Sequence, residues 1–305
     1  MKLKNKKITL RYGENPNQKA YLLSNINKLT LDFQISGKKI SYNNIIDLDS
    51  GLRCLNEFSE PTSIIIKHTN PCGVASAKNI NKAFKKSYES DTKSAFGGII
   101  FLNRKLNSSL ANIIVKNFFE MIVAPDFELN AIKILKNKKN LILFKIPKIK
   151  KIKTNYKSTV FGNLYQTNDL VSINQKFINL VSYKKTSLKS VQDLIFSLKV
   201  VKHLKSNAVV LSNNKQTLGL GHGQTNRVDA LNFAIKNKKK YFKENSFVCA
   251  SDGFFPFTDS ISILNKNGCT VIAQPSGSIN DDKVISFANK NKISLYFTKN
   301  RLFKH

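Results

Sequence analysis

Short apolar runs alternate with amphipathic stretches along most of the chain. The runs typical of buried strands are TSIIIKH, GGIIFLN, SFVCASDG, TVIAQP and SLYFT. The stretches with apolar residues at helical spacing are DLDSGLRCLNEF, NINKAFKKSYES, LKSVQDLIFSLKVVKHL and VDALNFAIKNKK. This alternation of strands and helices predicts an α/β protein.

Other local patterns predict how some of these elements connect. The runs NAVVLSNN and QTLGLG predict a hairpin that turns around NNK. SLANIIVKNFFEMIVAP predicts a helix that runs into a strand. Ser63 to Ile66 predicts a short buried strand with Lys67 and His68 at its C-terminal end, and we expect NPCG to turn the chain there.

The segment 145–158 has little periodicity and contains Pro147, so it predicts a linker. A chain of 305 residues is long enough for two domains of ordinary size. We therefore predict two α/β domains, 1–150 and 151–305.

The composition adds a formal net charge of +31, which often indicates a nucleic-acid partner. Only five of the 50 basic residues are arginine, and lysine, asparagine and isoleucine are abundant throughout. These are residues of A/T-rich codons, and the lysines are spread along the chain rather than concentrated in a stripe. We interpret them as a solvated coat and disfavour nucleic-acid binding.

Cysteine usage and hydropathy indicate a cytoplasmic protein with no membrane segment. The four cysteines lie far apart and form no C-x-x-C pair, so we expect reduced thiols and no zinc site. His68, Pro71 and Cys72 resemble part of the zinc-deaminase signature, but its glutamate and second cysteine are missing. No apolar run reaches the ~18 residues of a membrane span, and no apolar segment follows the basic N-terminus as in a signal peptide.

Several turns carry residues suited to chemistry, and ligands of open α/β sheets sit beyond the carboxyl ends of strands. A lysine at a strand end can have its pKa lowered by burial, and histidine accepts protons near neutral pH. Lys67 and His68 are therefore candidates for proton transfer, although a surface lysine beside a core histidine explains the pair as well.

Two other turns also leave alternatives open. GLGHGQTNR is either a glycine-rich phosphate loop or a tight turn that needs positive φ. SDGFFPF is either core packing or a surface for a flat ligand. Arg11, Arg227 and Arg301 lie in such turns, where a planar guanidinium suits phosphate or carboxylate better than lysine does.

Taken together, the turns resemble one known family. The matching text is LRYGENPNQKA, SGKKISYNNIIDLD, IIKHTNPCGVA, SAFGGIIFLNR, VKHLKSNAVVL, GQTNRVDA, ASDGFFPF, QPSGSINDDKVI and RLFKH. In this order, the motifs resemble the AICAR transformylase domain of the bifunctional purine-biosynthesis proteins. The resemblance covers nearly the whole chain and starts at its first residues, so we expect the IMP cyclohydrolase half to be absent and that activity to be separate.

The resemblance implies a fold of two cytidine-deaminase-like α/β/α domains. It implies transfer of the formyl group of 10-formyltetrahydrofolate to the 5-amino group of AICAR (aminoimidazole carboxamide ribonucleotide), giving FAICAR in purine biosynthesis. It also implies a homodimer whose active sites are shared between subunits. The alternative function that we carry is a catalytically inactive, basic nucleic-acid-binding protein.

The resemblance also implies roles for individual residues. Those matching the catalytic lysine, the catalytic histidine and the asparagine that orients the formyl group are Lys67, His68 and Asn207. Those matching the AICAR site are Arg11, Tyr12, Gly97, Glu120 and Arg301. Those matching the folate side are Arg227, Val228, Phe254, Pro256 and Asp259. A potassium ion near Asp252 is implied for some members.

Three positions depart from the family pattern. Asn17 stands where histidine is common, His222 where a small residue is usual, and Lys304 where histidine or arginine is frequent. None of the three removes a proposed catalytic group.

Overall fold

The chain is described here by a computed structural model, which covers residues 6–24, 33–147 and 153–305. The elements up to residue 147 are β1 (Lys6–Thr9), β2 (Tyr21–Ser24), β3 (Gln34–Ser36), α1 (Tyr42–Leu55), β4 (Thr62–Lys67), β5 (Asn70–Ser76), α2 (Ile80–Glu89), α3 (Thr92–Ala95), β6 (Ile99–Leu102), α4 (Ser108–Ile114), β7 (Met121–Ala124), α5 (Leu129–Lys136) and β8 (Ile142–Lys145).

The elements after residue 152 are again strands that alternate with helices. They are β9 (Thr154–Thr159), β10 (Gly162–Thr167), a 3₁₀ helix (Gln175–Phe177), β11 (Ile178–Leu180), α6 (Leu188–Val201), β12 (Val209–Asn213), β13 (Gln216–Gly221), α7 (Arg227–Tyr241), β14 (Phe247–Ser251), α8 (Thr258–Lys266), β15 (Cys269–Pro275), α9 (Asp281–Lys290) and β16 (Ser294–Thr298). The predicted α/β class is confirmed.

A mixed sheet of twelve described strands forms the centre, in the order β11-β16-β15-β14-β12-β13-β5-β4-β6-β7-β8-β3. Outward from the β13–β5 junction, both halves have the same sequence of partners: a hairpin, an antiparallel neighbour, two parallel neighbours and an antiparallel edge strand. This repetition supports the two similar units implied by the resemblance. The predicted boundary at residue 150 lies outside the described residues and stays a prediction.

The two halves meet where β5 and β13 run antiparallel, with Gln216 opposite Ala75. Next to this pair, the Thr217 side chain takes the place of backbone hydrogen bonds between the two strands. Val74 N–H donates to the Thr217 hydroxyl at 3.0 Å, and that hydroxyl lies 3.2 Å from the Val74 carbonyl. Beyond Thr217 the two strands diverge, and a cleft opens between the halves toward one edge of the sheet.

Helices cover both faces of the sheet. The core beneath α1 and α6 is continuous across both halves, whereas the opposite face has one core under α2, α4 and α5 and another under α7, α8 and α9. In β4, Ile64 and Ile66 belong to the first core and Ile65 to the second. Burial on both faces explains why this strand has an unbroken apolar run.

Polar caps define where the main helices begin. Ser41 caps α1 by accepting from Asn44 N–H at 3.2 Å, and the Asn44 side chain accepts from Ser41 N–H at 3.0 Å. This reciprocal arrangement satisfies two backbone donors that a helix start leaves free. Asn226 caps α7 in a similar manner, accepting from Asp229 N–H at 2.8 Å.

Three local predictions need correction. The chain turns at His68 and Thr69, and NPCG begins strand β5, because the hairpin ladder starts at the pair Lys67–Asn70. The predicted linker 145–158 ends in strand β9, and its residues 148–152 lie outside the described part. In GLGHGQTNR, the GLG forms the end of β13, and the predicted positive φ occurs only afterwards, at Gly223 with a φ of 68°.

Packing against helix α7 accounts for those glycines. A Cβ on Gly219 would lie 2.1 Å from the Ala234 carbonyl oxygen, and one on Gly221 would lie 1.7 Å from the Ala230 carbonyl oxygen. Both distances are far shorter than van der Waals contact, so only glycine allows the helix to lie this close to the strand.

Among the described residues, we find no helix that combines the length and apolarity needed to span a membrane.

Candidate functional site

The strand directions bring the chemically interesting turns to one edge of the sheet. The C-terminal ends of β4, β13 and β14 lie at this edge together with the N-terminal ends of β5, β6, β7 and β12, because the central strands alternate in direction. The expectation that the chemically interesting turns lie beyond the carboxyl ends of strands therefore needs correction for three residues. Gly97, Glu120 and Asn207 precede their strands, yet the antiparallel pairing places them at the same edge.

Lys67 and His68 stand at the mouth of the cleft between the halves. The cleft has a volume of about 320 Å³, and both residues line it. The Lys67 ammonium donates to the Phe96 carbonyl at 2.8 Å, which fixes its direction and leaves further N–H groups for a ligand. The His68 side chain is exposed and accessible from the cleft.

The turn that carries His68 has an unusual backbone. His68 and Thr69 have φ values of 52° and 65°, in the left-handed region that non-glycine residues rarely occupy. Thr69 N–H donates to Asp47 Oδ1 at 2.6 Å, and the Ser50 hydroxyl donates to the Thr69 carbonyl at 2.5 Å. Burial raises the pKa of Asp47, and the Thr69 N–H and the His68 charge oppose that rise.

Asn207 lies in an adjoining pocket of about 290 Å³. Its amide nitrogen donates to the Gln224 and Thr225 carbonyls at 3.0 and 3.2 Å, and its Oδ1 accepts from Arg227 at 2.7 Å. Gln224 lines this pocket and also the cleft beside His68, so the two spaces adjoin.

Arg227 organises this second pocket. Its guanidinium pairs with Asp252 Oδ1 at 3.1 Å and also donates to the Phe254 carbonyl at 3.1 Å. Asp252 is fully buried, and its Oδ2 has no hydrogen-bond partner within the described chain. Thus Asn207, Arg227, Phe254 and Asp252, which were predicted in three different roles, form one cluster.

The C-terminal segment 301–305 closes this cluster from one side. Leu302 N–H donates to the Asp252 carbonyl at 2.9 Å, and Arg301 lies over the Phe303 ring with 4.9 Å between guanidinium and centroid. Ser206 N–H donates to the Lys304 carbonyl at 2.9 Å. The segment is therefore hydrogen-bonded both to Asp252 and to Ser206, the residue before Asn207.

Hydrogen bonds from the Lys304 ammonium anchor the end of this segment. The Lys304 ammonium donates to the His203 carbonyl at 3.0 Å and lies 3.4 Å from the Ser50 hydroxyl. The His203 ring and the Lys202 ammonium approach Glu57 Oε1 at 3.4 and 3.3 Å. Burial raises the pKa of Glu57, but hydrogen bonds and charge from His203 and Lys202 outweigh it and bring the pKa below its usual value.

Four of the five residues predicted for the AICAR side lie on the other half of the edge. Arg11 stacks on Tyr12 and donates to its hydroxyl at 2.8 Å. Gly97 has a φ of 73°, which suits glycine, and its N–H donates to the Phe118 carbonyl. Glu120 accepts from Lys38 at 2.8 Å. The structure therefore groups these residues near α1, away from Arg301.

The remaining folate-side residues lie near Arg227. Val228 is in the first turn of α7, and Pro256 and the exposed Asp259 lie around the start of α8. Phe255 is fully buried, whereas Phe254 and Phe257 are exposed. Core packing thus explains Phe255, whereas Phe254 and Phe257 remain accessible, and the interpretation as a surface for a flat ligand stays a prediction.

The three departures from the family pattern occupy different places. Asn17 lies in an exposed turn. His222 lines the cleft, where burial and then the charge of Lys304 lower its pKa. Burial also lowers the pKa of Lys304 itself.

Local sequence patterns did not indicate Gln224, Asp47 or Ser50 as site residues. Gln224 lies within the quoted GQTNR motif, but no local signal distinguishes a residue that lines two pockets. Asp47 and Ser50 are spaced i, i+3 on α1, which places them on one helix face, yet their partner Thr69 lies 22 residues beyond Asp47. Only the packing of α1 against the hairpin shows this contact.

The arrangement combines a lysine, a histidine and an amide with an arginine–carboxylate pair at one sheet edge. An ammonium, an imidazole and an amide in an α/β protein can donate and accept protons, which is the chemistry that acid–base group transfer requires. Residues 1–237 match the family described as the AICARFT/IMPCHase bienzyme.

Comparison with curated proteins agrees. The bifunctional purine biosynthesis protein PurH of Caldicellulosiruptor bescii is 46% identical over 308 residues, which covers 97% of this chain and 59% of that protein. PurH of Buchnera aphidicola subsp. Baizongia pistaciae is 45% identical over 311 residues, covering 98% of this chain and 58% of that protein. The chain belongs to the AICARFT/IMPCHase family, and it spans less than two thirds of the length of these relatives.

Proposed function

We propose that this chain is an AICAR formyltransferase, transferring the formyl group of 10-formyltetrahydrofolate to the 5-amino group of AICAR. Family membership supports the reaction class. The observation that carries the proposal is the cleft lined by Lys67 and His68 beside the pocket of Asn207, with Gln224 lining both. Two adjoining spaces suit a reaction between two substrates, which gains rate from holding them side by side.

In the proposed mechanism, His68 is the base. The AICAR amine is conjugated to its ring and is a poor nucleophile, so it must lose a proton as it attacks the formyl carbon. The exposed His68 imidazole accepts that proton, directly or through the substrate carboxamide. Lys67 donates a hydrogen bond to the oxyanion of the tetrahedral intermediate. As the bond between the formyl carbon and N10 breaks, N10 takes a proton from the Lys67 ammonium, and the proton accepted by His68 restores that ammonium.

Asn207 takes an acceptor role in this proposal. Both hydrogens of its amide are engaged by the Gln224 and Thr225 carbonyls, while its Oδ1 accepts only from Arg227 among the described residues. A carbonyl oxygen has two lone pairs, so Oδ1 retains one for the substrate amine. Asn207 then orients the amine toward the formyl carbon, which differs from the formyl-orienting role that the resemblance implies, because both amide hydrogens are engaged.

The predicted substrate residues support a site shared by two subunits. Arg11 and Arg301 are both proposed to bind the AICAR phosphate, but within one chain Arg11 lies near α1 and Arg301 lies beside Asp252. From Glu120 at β7 to Asp252, which follows β14 and lies beside Arg301, there are six strand spacings, about 29 Å at ~4.8 Å each. One nucleotide cannot bridge that distance, so we propose a homodimer in which each subunit supplies part of the site.

The hairpin β9–β10 is our candidate contact for this dimer. Its strands are exposed, and Val160 and Phe161 at its tip are 95% and 98% accessible. Tyr156, Leu164 and Tyr165 are also exposed on it, and Lys157 is its only charged residue between Thr154 and Thr167. An apolar, nearly uncharged arm on a strongly basic protein is suited to burial against a second copy.

Asp252 also fits the proposed potassium ion. Its buried Oδ2 is without a partner in the described chain, and a carboxylate oxygen is an appropriate ligand for a hard cation. Asp252 and the C-terminal segment bonded to its carbonyl would hold the ion, which would supply charge that stabilises the pocket around Asn207. We place the protein in the cytoplasm.

The test is an assay of purified protein with AICAR and 10-formyltetrahydrofolate, following tetrahydrofolate release. Turnover that requires both substrates and disappears in His68→Ala supports the proposal. Calorimetry on Arg11→Lys and Arg301→Lys should show weaker AICAR binding with little change for folate, because a bidentate fork becomes a point charge. A folded protein that releases no tetrahydrofolate would refute the activity.

A further inference from the structure

The backbone around His68 requires support from elsewhere in the chain. His68 and Thr69 form a two-residue hairpin turn with both φ values positive, a type for which Asn-Gly is the preferred sequence. Neither residue is glycine, and Thr69 is β-branched, which makes this conformation especially unfavourable. A turn with this sequence is held in place only if its surroundings fix it.

Helix α1 provides that support through two side chains. The Asp47 carboxylate accepts from Thr69 N–H at 2.6 Å, and the Ser50 hydroxyl donates to the Thr69 carbonyl at 2.5 Å. Both backbone groups of Thr69 are therefore bonded to one helix face. The Lys304 ammonium lies 3.4 Å from the same Ser50 hydroxyl, so the C-terminal segment also contacts this helix face.

The second half of the molecule contains an equivalent contact. Asn214 and Lys215 turn the hairpin β12–β13 with φ values of 50° and 51°. Their N–H groups donate to the Asp193 carboxylate at 3.0 and 2.7 Å. Asp193 is the sixth residue of α6, as Asp47 is the sixth residue of α1.

The two turns differ in what they face. Because the halves run in opposite directions across the junction, the Asn214–Lys215 turn lies at the edge of the sheet opposite to Lys67 and His68. The Asp193 contact supports a turn far from the cleft. It is therefore an internal control for the effect of such a carboxylate on folding alone.

We propose that Asp47 is a positioning residue for His68, holding the left-handed turn so that the imidazole faces the cleft. The inference rests on the proposed function for its kinetic consequence, but the placement of His68 can be measured without turnover. It gives α1 a role in the reaction although Asp47 itself need not touch a substrate.

The kinetic test compares Asp47→Ala, Asp47→Asn and Asp193→Ala in the full chain. Misplacement of a reacting group by about 1 Å can cost about 100-fold in rate, so we expect Asp47→Ala to lower kcat about 10–100-fold with KM changed less than about threefold. Asp47→Asn should lose less, since its amide oxygen still accepts from Thr69 N–H. Asp193→Ala should lower the melting temperature but leave kcat within about twofold.

A rescue variant separates positioning from direct electrostatic action on His68. Glycine adopts positive φ readily, so adding Thr69→Gly to the Asp47→Ala variant should raise its kcat about tenfold. If Asp47 acted only by charge, Thr69→Gly would restore nothing, and the positioning role would be overturned.

The structural readout uses histidine proton NMR, which is tractable because the chain has only four histidines. The His68 ring signal, assigned by its loss in His68→Ala, should shift or broaden in Asp47→Ala and stay unchanged in Asp193→Ala. An unchanged signal together with a kcat within twofold of wild type would overturn the inference. A protein that does not turn over AICAR but shows the signal change would refute the proposed function and leave the positioning of His68 supported.

Discussion

The Arg227–Asp252 pair allows a quantitative test of how the Asn207 pocket is held together. Asp252 is 0% exposed, and the Arg227 side chain is 12% exposed, so both groups are largely removed from water. We consider Arg227→Met, which keeps an apolar side chain in place, Asp252→Asn, which keeps the oxygen acceptor, and the double variant. These changes separate the loss of charge from the loss of packing.

The magnitudes follow from what each variant leaves behind. Arg227→Met leaves a buried carboxylate without its cation and should lower the free energy of unfolding by about 3–5 kcal/mol. Asp252→Asn removes the charge but keeps an acceptor for Arg227, so its cost should be nearer 1–3 kcal/mol. The double variant has no buried charge, and we expect its cost to fall below the sum by about 2–3 kcal/mol.

The assay is urea unfolding at fixed ionic strength, followed by two spectroscopic probes to test for a single transition. Arg227→Met should also lower kcat, because the Asn207 oxygen loses its 2.7 Å donor. Repeating the wild-type measurement in potassium and sodium chloride at equal ionic strength tests the proposed ion. Costs of the two single variants that add within about 0.5 kcal/mol would refute the coupling on which this reasoning depends.

Three further predictions address the base, a buried histidine and the assembly. His68→Ala should lower kcat about 10²–10⁴-fold with little change in AICAR binding, and near-wild-type turnover in the folded variant would contradict its role as the base. Burial lowers the pKa of His203 from its ordinary value of 6.5, despite the opposing effect of Glu57. The folded state then binds fewer protons than the unfolded state, so unfolding free energy should fall as pH drops below about 6.5, and His203→Gln should flatten that slope in urea titrations. With a formal charge of +31 per chain, the dimer dissociation constant should rise as salt falls below about 0.1 M, where screening is weak, and Phe161→Ser should raise it at every salt concentration. Sedimentation would show both effects, and a dimer that weakens on adding salt would contradict the charge argument.

The sequence predicted those elements whose pattern is local. The helical spacing in LKSVQDLIFSLKVVKHL corresponds to α6, Leu188–Val201, and the hairpin around NNK corresponds to β12 and β13. Periodicity reports which face of an element is buried, and that information is present within a few turns of chain. The resemblance added the family, which the comparison with relatives confirms.

Features that depend on distant contacts were not predictable from local pattern. The turn at His68 and Thr69 lacks the glycine or asparagine that normally indicates one, because Asp47 supplies the support from another element. The GLG of β13 is similar in sequence to a ligand loop. Its glycines are instead required for close packing against helix α7, a contact that the local sequence does not show. The roles of Lys67, His68 and Asn207 stay predictions until the variants are assayed.

The junction between β5 and β13 carries an implication for the origin of the molecule. The two halves share one order of strands, and they meet antiparallel through equivalent strands, each the second strand of its hairpin. This is the geometry that two identical units would adopt as a symmetric pair. Fusion of such a pair into one chain frees its copies to diverge, since a hairpin turn at one edge can acquire chemistry while its twin at the other edge remains scaffold. The carboxylates of Asp47 and Asp193 would then be descendants of a single ancestral residue.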